Sequence, residues 1–341
     1  MTFEKALCFD DVLLMPQYFE KKSRKEVDLS TEISGIKLKI PIISANMPSV
    51  TGASMALELS KVGGLGILDR MIPLEEQIEE IIKFNKYTNS SFDFPCDPVI
   101  GASIGINKRD LQNARALIQQ GAKIICIDVA HADQRQTKEI YFLFRERYPD
   151  FPLIIGNYAT PFNLEYFRDD SKLTFKVGIG GGSHCTTRIE TGCGLPTFAS
   201  GQLFSEESFN FILDGGIKSS GDIVKSLALG AKAVMLGSLL SGHKECPGNV
   251  IKQNGKLYKI YRGNASFGVK ASIGNVEHVE GEESLVPYKG EVAKTLAKLE
   301  QGIRSGMSYC GSESLSQLLL KCKFVEISSG GHHESKPHGA I

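Results

Sequence analysis

The sequence has no excess of either charge: lysine plus arginine and aspartate plus glutamate both number 39, for a formal net charge of zero. Bulk electrostatics therefore point to neither nucleic acid nor an acidic membrane surface as a partner. Long apolar runs are missing too. The opening stretch MTFEKALCFDDVLLMPQ interrupts its hydrophobic segment with two aspartates, so neither a signal peptide nor a membrane span is expected there, and a cytoplasmic enzyme is the default expectation. The eight cysteines form no CxxC pair, which argues against a zinc ribbon or a disulfide framework. Finally, no GxGxxG follows the first strand-like run, which weakens the case for an open, doubly wound sheet.

What is present is a rhythm of short β-branched runs: IPIISAN (40–46), GLGILDR (64–70), VIGASIG (99–105), IICIDVA (124–130), LIIGNYA (153–159), FKVGIG (175–180), FNFILDGG (209–216) and AVMLGS (233–238). Each is nearly continuously apolar, as a strand buried on both faces of a parallel sheet must be. Eight such units predict an α/β fold, a single-domain (β/α)8 barrel, with the doubly wound sheet as the alternative. In a barrel the loops after the strands' C-terminal ends build the active site. Those ends carry Asn46, Arg70, Asp128, Asn157, Cys185, Asp214 and Ser238. Between Pro196 and Asp214 there is little room for a full helix, so an irregular unit is expected. The barrel is expected over 1–327, including a flap segment at 264–290 and a helix over EVAKTLAKLEQGIRSGM. The tail, 328–341, has no core-forming pattern and is expected to be mobile unless a neighbour orders it.

Two glycine-containing turns, DGGIKSSGD (214–222) and the LGS ending at Ser238, follow the last two strands, where barrels often hold phosphate on backbone N–H groups. Cys185 sits in the glycine-rich stretch KVGIGGGSHCTTRIETGCG just past the sixth strand, a setting that suits an accessible nucleophile better than an inert buried thiol. Cys193, eight residues on, raises a redox pair as an alternative that a reducing cytosol disfavours. His184 adjoins Cys185, but neighbours on an extended loop point apart, so a packing or solvent-facing role is expected. His332, His333 and His338 could be a metal tract, though a flexible polar tail is the plainer reading.

The segments FDDVLLMP, GIGGGSHCTTR, DGGIKSSGDI, VMLGSLLSGHKECPG, YRGNAS, EGEESLVPYKG and IRSGMSYCG, in this order, resemble the IMP dehydrogenase/GMP reductase family over nearly the whole chain. The resemblance implies a barrel, normally a homotetramer, that acts on a purine nucleotide. It implies Cys185 as the nucleophile at purine carbon 2, with Thr187 and Glu280 handling protons. It implies ribose and phosphate contacts from Ser183, Asp214, Gly216, Gly237, Ser238 and Tyr261, with Gly215, Gly263 and Asn264 also expected among the substrate-binding residues. Arg70, Asp128 and Asn157 are the residues expected to meet the dinucleotide, NADPH or NAD. The carbonyls of Gly180, Gly182 and Cys185 match those that hold a monovalent cation, potassium, in the dehydrogenases.

Two branches remain open. The dehydrogenases oxidise IMP to XMP with NAD, use a long flap bearing an Arg-Tyr dyad, and usually carry an inserted regulatory domain. Here fifteen residues separate Asn264 from Glu280, without an Arg-Tyr pair. SANM (44–47) and SGHKE (241–245) look like the reductases, which convert GMP to IMP and ammonia with NADPH. In contrast, FDDVLL, IRSGMSYCG and HHESKPHG look like the dehydrogenases, and Gly181, Asn264 and Glu277 depart from the usual reductase residues. The first expectation is a GMP reductase, the second an IMP dehydrogenase without a regulatory domain, and the third a non-catalytic nucleotide-binding barrel.

Overall fold

A computed structural model describes residues 5–89, 92–263, 266, 279 and 281–335. All eight apolar runs form parallel strands: β1 (Ile42–Ser44), β2 (Leu65–Leu68), β3 (Ile100–Ile104), β4 (Ile124–Asp128), β5 (Leu153–Tyr158), β6 (Leu173–Val177), β7 (Phe211–Asp214) and β8 (Ala233–Leu236). They pair in chain order, and β8 returns to β1 through Val234–Ile42, Met235–Ile43 and Leu236–Ser44 to close the barrel.

The two-residue period explains why the strands read as continuously apolar. Ile43, Leu65, Ile67, Ile124, Cys126, Ile154, Ile212 and Met235 fill the barrel interior. Their neighbours Ile42, Leu68, Ile125, Ile127, Leu153, Ile155 and Leu213 belong instead to the outer core, against the helices. The same alternation turns Asp128, two residues past Cys126, and Asp214, two past Ile212, inward at the rim. Phe175 and Val177 lie in the outer core, so Lys176 between them also faces the barrel axis.

Helices α1 (Ala53–Lys61), α2 (Leu74–Thr88), α3 (Asp110–Gln119) and α4 (Arg135–Arg147) follow β1 to β4. The irregular crossover is the one after β5, which holds only the 3-10 turn Glu165–Phe167. After β6 come α5 (Thr187–Thr191) and α6 (Thr197–Glu206). The expectation of an irregular unit between Pro196 and Asp214 is thus corrected: α6 is a ten-residue helix there. Thr197, Phe198, Ala199, Ser200, Gly201 and Phe204 are all buried, so the segment lacks the one-sided apolar pattern that marks a surface helix.

Helix α7 (Ser220–Ala228) follows β7. After β8 the chain forms a three-stranded antiparallel sheet from Ile251–Gln253, Lys256–Arg262 and Glu283–Pro287, then α8 (Val292–Tyr309), which packs on α7 and α1. Phe324–Glu326 pairs antiparallel with Val12–Leu14. In the tail, Ser329–Glu334 forms a short helix with no buried residue, whose first turn is capped by Ser328 Oγ on the Gly331 N–H. Residues 336–341, with His338, lie outside the described residues.

Candidate active site

The chain leaves β6 through Gly178, whose φ is +141° and where a Cβ would lie 2.0 Å from the Asp214 carbonyl oxygen. Only glycine permits that contact. Gly215 repeats the requirement from the β7 side: with φ at +89°, its Cβ would come within 3.0 Å of the Gly182 nitrogen. The two glycine-rich loops therefore touch backbone to backbone.

Arg188 closes the neck of the β6 loop. Its Nε and Nη2 donate to the Ile179 carbonyl at 3.3 and 3.2 Å, Nη2 also donates to the Leu195 carbonyl, and Ile179 bridges Leu195. Beyond the neck the Cys185 thiol donates to Thr187 Oγ1 at 3.1 Å, and Cys185 bridges Gly281. Glu282 N–H donates to the His184 carbonyl at 3.0 Å, and Gly263 N–H to the Glu282 carbonyl at 3.0 Å. The Gly281–Glu282 segment thus pins the loop that carries Cys185.

His184 has a packing role. Its ring lies edge-on to Tyr261 at 4.4 Å, Nε2 is 2.6 Å from Ser284 Oγ, and burial lowers its pKa. Cys193 is an exposed free thiol just past the end of α5, and Cys185 is free as well.

The two expected phosphate turns lie side by side after the adjacent strands β7 and β8. Gly215 and Gly216 both have positive φ, and the turn leads into α7, where Ser219 Oγ accepts the Asp222 N–H. Opposite, Gly237 and Ser238 begin the turn after β8 beneath Tyr261 Oη, and Lys289 Nζ donates to the Ser238 carbonyl at 3.2 Å. Tyr261 bonds Ser183, and burial pushes its phenol up to about 12.

The far wall carries charge. Lys176 Nζ is 2.7 Å from Asp128 Oδ1 and 3.3 Å from Asp214 Oδ2, and it donates to Asn157 Oδ1. Asn157 Nδ2 donates to Asp214 Oδ2 at 3.0 Å and to the Gly178 carbonyl at 2.8 Å. Arg70 Nε is 3.5 Å from Asp128 Oδ2. Burial alone would raise the Asp128 pKa, but Lys176 and Arg70 hold it below the ordinary carboxylate value. For Lys176 burial would lower the pKa, and the two aspartates more than offset that and raise it. Asp69, fully buried beside Arg70, is pushed up to about 8 by burial and by the Asp128 charge.

All of these loops border one cavity of about 330 Å³. Arg70, Asp128 and Asn157 line it, as do the glycine-rich loop from Gly180 to Cys185 and Thr187, the turns at Asp214–Gly216 and Gly237–Ser238, and Tyr261 and Gly263. Glu280, Asn264 and Glu277 lie outside the described residues. No group of three or more His, Cys, Asp or Glu among the described residues is arranged to hold a metal ion, so His332 and His333 make no such centre with their neighbours. Sequence reasoning missed Lys176, although a lysine inside the otherwise apolar FKVGIG was a usable signal. It also missed Asp69 and the structural part played by Arg188.

Known proteins agree with this architecture. The IMP dehydrogenase/GMP reductase domain model matches residues 6–338. The inosine-5'-monophosphate dehydrogenase of Halalkalibacterium halodurans is 35% identical, with 98% of this chain and 96% of the relative covered. That of Cryptosporidium parvum is 34% identical over 98% and 95%. The counterpart from Nitrosopumilus maritimus is 29% identical over the full length of both, in an alignment of 476 positions, so it carries residues without a counterpart here. A GMP reductase from Trypanosoma brucei, solved with guanosine 5'-monophosphate, superposes with a TM-score of 0.91 at 25% identity, covering 100% of this chain and 99% of that one. With nearly the whole chain matched and a closed barrel bearing a cysteine loop beside two glycine turns, the chain belongs to the IMP dehydrogenase/GMP reductase family.

Proposed function

We propose that this protein is a GMP reductase, converting GMP to IMP and ammonia. The observation that carries this reading over a dehydrogenase is the segment between Asn264 and Glu280, fifteen residues without an Arg-Tyr pair. Hydrolysis of a covalent adduct needs an activated water, and losing a general base slows such a step by about 10²- to 10⁴-fold. Reductive deamination needs no such water.

In this reading the nucleotide's phosphate rests on the turns at Gly215–Gly216 and Gly237–Ser238, and its ribose hydroxyls donate to Asp214. Cys185 sulfur bonds to purine carbon 2, the bond from carbon 2 to the exocyclic nitrogen breaks, and the thiol proton leaves with ammonia. Thr187, 3.1 Å from the sulfur, relays that proton together with Glu280. Arg70, Asp128 and Asn157 would hold NADPH, which would supply a hydride to carbon 2. Once carbon 2 is reduced, the carbon–sulfur bond breaks, IMP leaves and Cys185 regains a proton.

The Gly180, Gly182 and Cys185 carbonyls suit a hard monovalent cation such as potassium by their oxygen chemistry, although the Gly182 carbonyl already accepts the Cys185 N–H at 3.1 Å. The assembly is proposed to be a homotetramer in the cytoplasm; among the described residues no helix is long and apolar enough to cross a membrane.

IMP dehydrogenase is the second reading, favoured by the dehydrogenases at 29% to 35% identity. Absorbance at 340 nm separates the two. A fall with GMP plus NADPH and no rise with IMP plus NAD supports the reductase, and the reverse pattern overturns it. Silence in both mixtures supports a non-catalytic barrel.

A further inference from the structure

Lys176 sits between the two halves of the cavity. On one side are Asp214, the glycine turns and Cys185, and on the other Asp128 and Arg70. A lysine ammonium has three N–H donors. Here it has three acceptors, Asp128 Oδ1, Asp214 Oδ2 and Asn157 Oδ1, and they come from β4, β7 and β5. The side chain is 3% exposed, so water does little of this bonding. Asn157 ties the set further by donating to the same Asp214 oxygen at 3.0 Å.

We propose that Lys176 is a positioning residue that couples the two halves, so that nucleotide bound at Asp214 and dinucleotide bound at Asp128 each tighten the binding of the other. The inference rests on the functional reading above, which puts the nucleotide on the Cys185 side and the dinucleotide on the Arg70 side. A ligand that orders Asp214 fixes the direction of one ammonium N–H and with it the remaining two. Asp128 then meets the second ligand already oriented, and the ordering is not repeated. Such coupling is reciprocal, with the same factor in either order of addition.

The test uses the intact protein and two ligands that do not react together, GMP and NADP⁺. Calorimetry gives the dissociation constant of each alone and in the presence of saturating amounts of the other. The expected wild-type result is a tightening of about fivefold or more, equal in both orders. In Lys176→Gln the factor is expected to fall to near one while both ligands still bind. Lys176→Arg, which keeps a cation between the carboxylates, should recover part of it. A packing role alone would alter stability or both affinities without removing the coupling. Binding of both ligands to the wild type with a factor of one overturns the inference without any variant, and so does an undiminished factor in Lys176→Gln. If the wild type binds neither GMP nor NADP⁺, the functional reading fails and the inference falls with it.

Discussion

Replacing Asp69 with asparagine tests the electrostatics of the far wall. Asp69 is 0% exposed, next to Arg70 and facing Asp128 from β4, and its carboxyl accepts the backbone N–H groups of Arg70 and Met71. Burial first and the Asp128 charge second push its pKa from 3.8 to about 8. Between these values the folded protein keeps a proton that the unfolded chain has released. The contribution of this group to stability is therefore fully present below about pH 4 and declines as pH rises, by about 1.4 kcal/mol per unit, until the folded carboxyl ionises near pH 8. Asparagine has nearly the same shape and no proton to lose. Equilibrium urea unfolding of both proteins at about pH 5.5 and about pH 7.5 should show the asparagine variant gaining about 2.7 kcal/mol on the wild type across the interval. Above about pH 8 the gap should stop growing. A gap constant to within about 0.5 kcal/mol would mean that Asp69 titrates like a solvated carboxyl and that the burial argument is wrong.

Further expectations concern the cavity. Cys185→Ala should abolish turnover and leave GMP binding within a few-fold, because the phosphate and ribose contacts lie on other loops; calorimetry beside the 340 nm assay checks both halves. Ser238→Glu sets a carboxylate beside the expected phosphate and should weaken GMP severely while guanosine loses little, and equal losses would remove this turn from the phosphate site. Glu280→Gln should slow single-turnover chemistry by about 10²-fold or more with binding little changed; an unchanged rate would leave the proton to Thr187. Arg188→Gln removes the bonds to the Ile179 and Leu195 carbonyls that close the Cys185 loop and should raise protease sensitivity at residues 179–195, read by mass spectrometry of limited digests.

A parallel barrel buries both faces of every strand, so its eight strands were written as eight nearly continuous apolar runs. Their polar C-terminal ends marked one rim, and the ordered motifs around Cys185 carried the family. Each of these signals is local: a strand's burial, a glycine's backbone freedom or a loop's composition is recorded in adjacent residues. The remaining features depend on residues that are distant in the chain. Lys176 is an oddity in FKVGIG until the closure of the barrel sets Asp128, Asn157 and Asp214 around its ammonium from three other strands. Asp69 is one aspartate among many until burial against Asp128 shifts its titration. Helix α6 carries no one-sided apolar stripe because its first five residues are all buried, Thr197 and Ser200 included, and the tail's short helix owes its start to the Ser328 cap. Local pattern sets which face of an element seeks the core, whereas charge pairing, desolvation and helix burial depend on which other elements the closed barrel brings within a few ångströms.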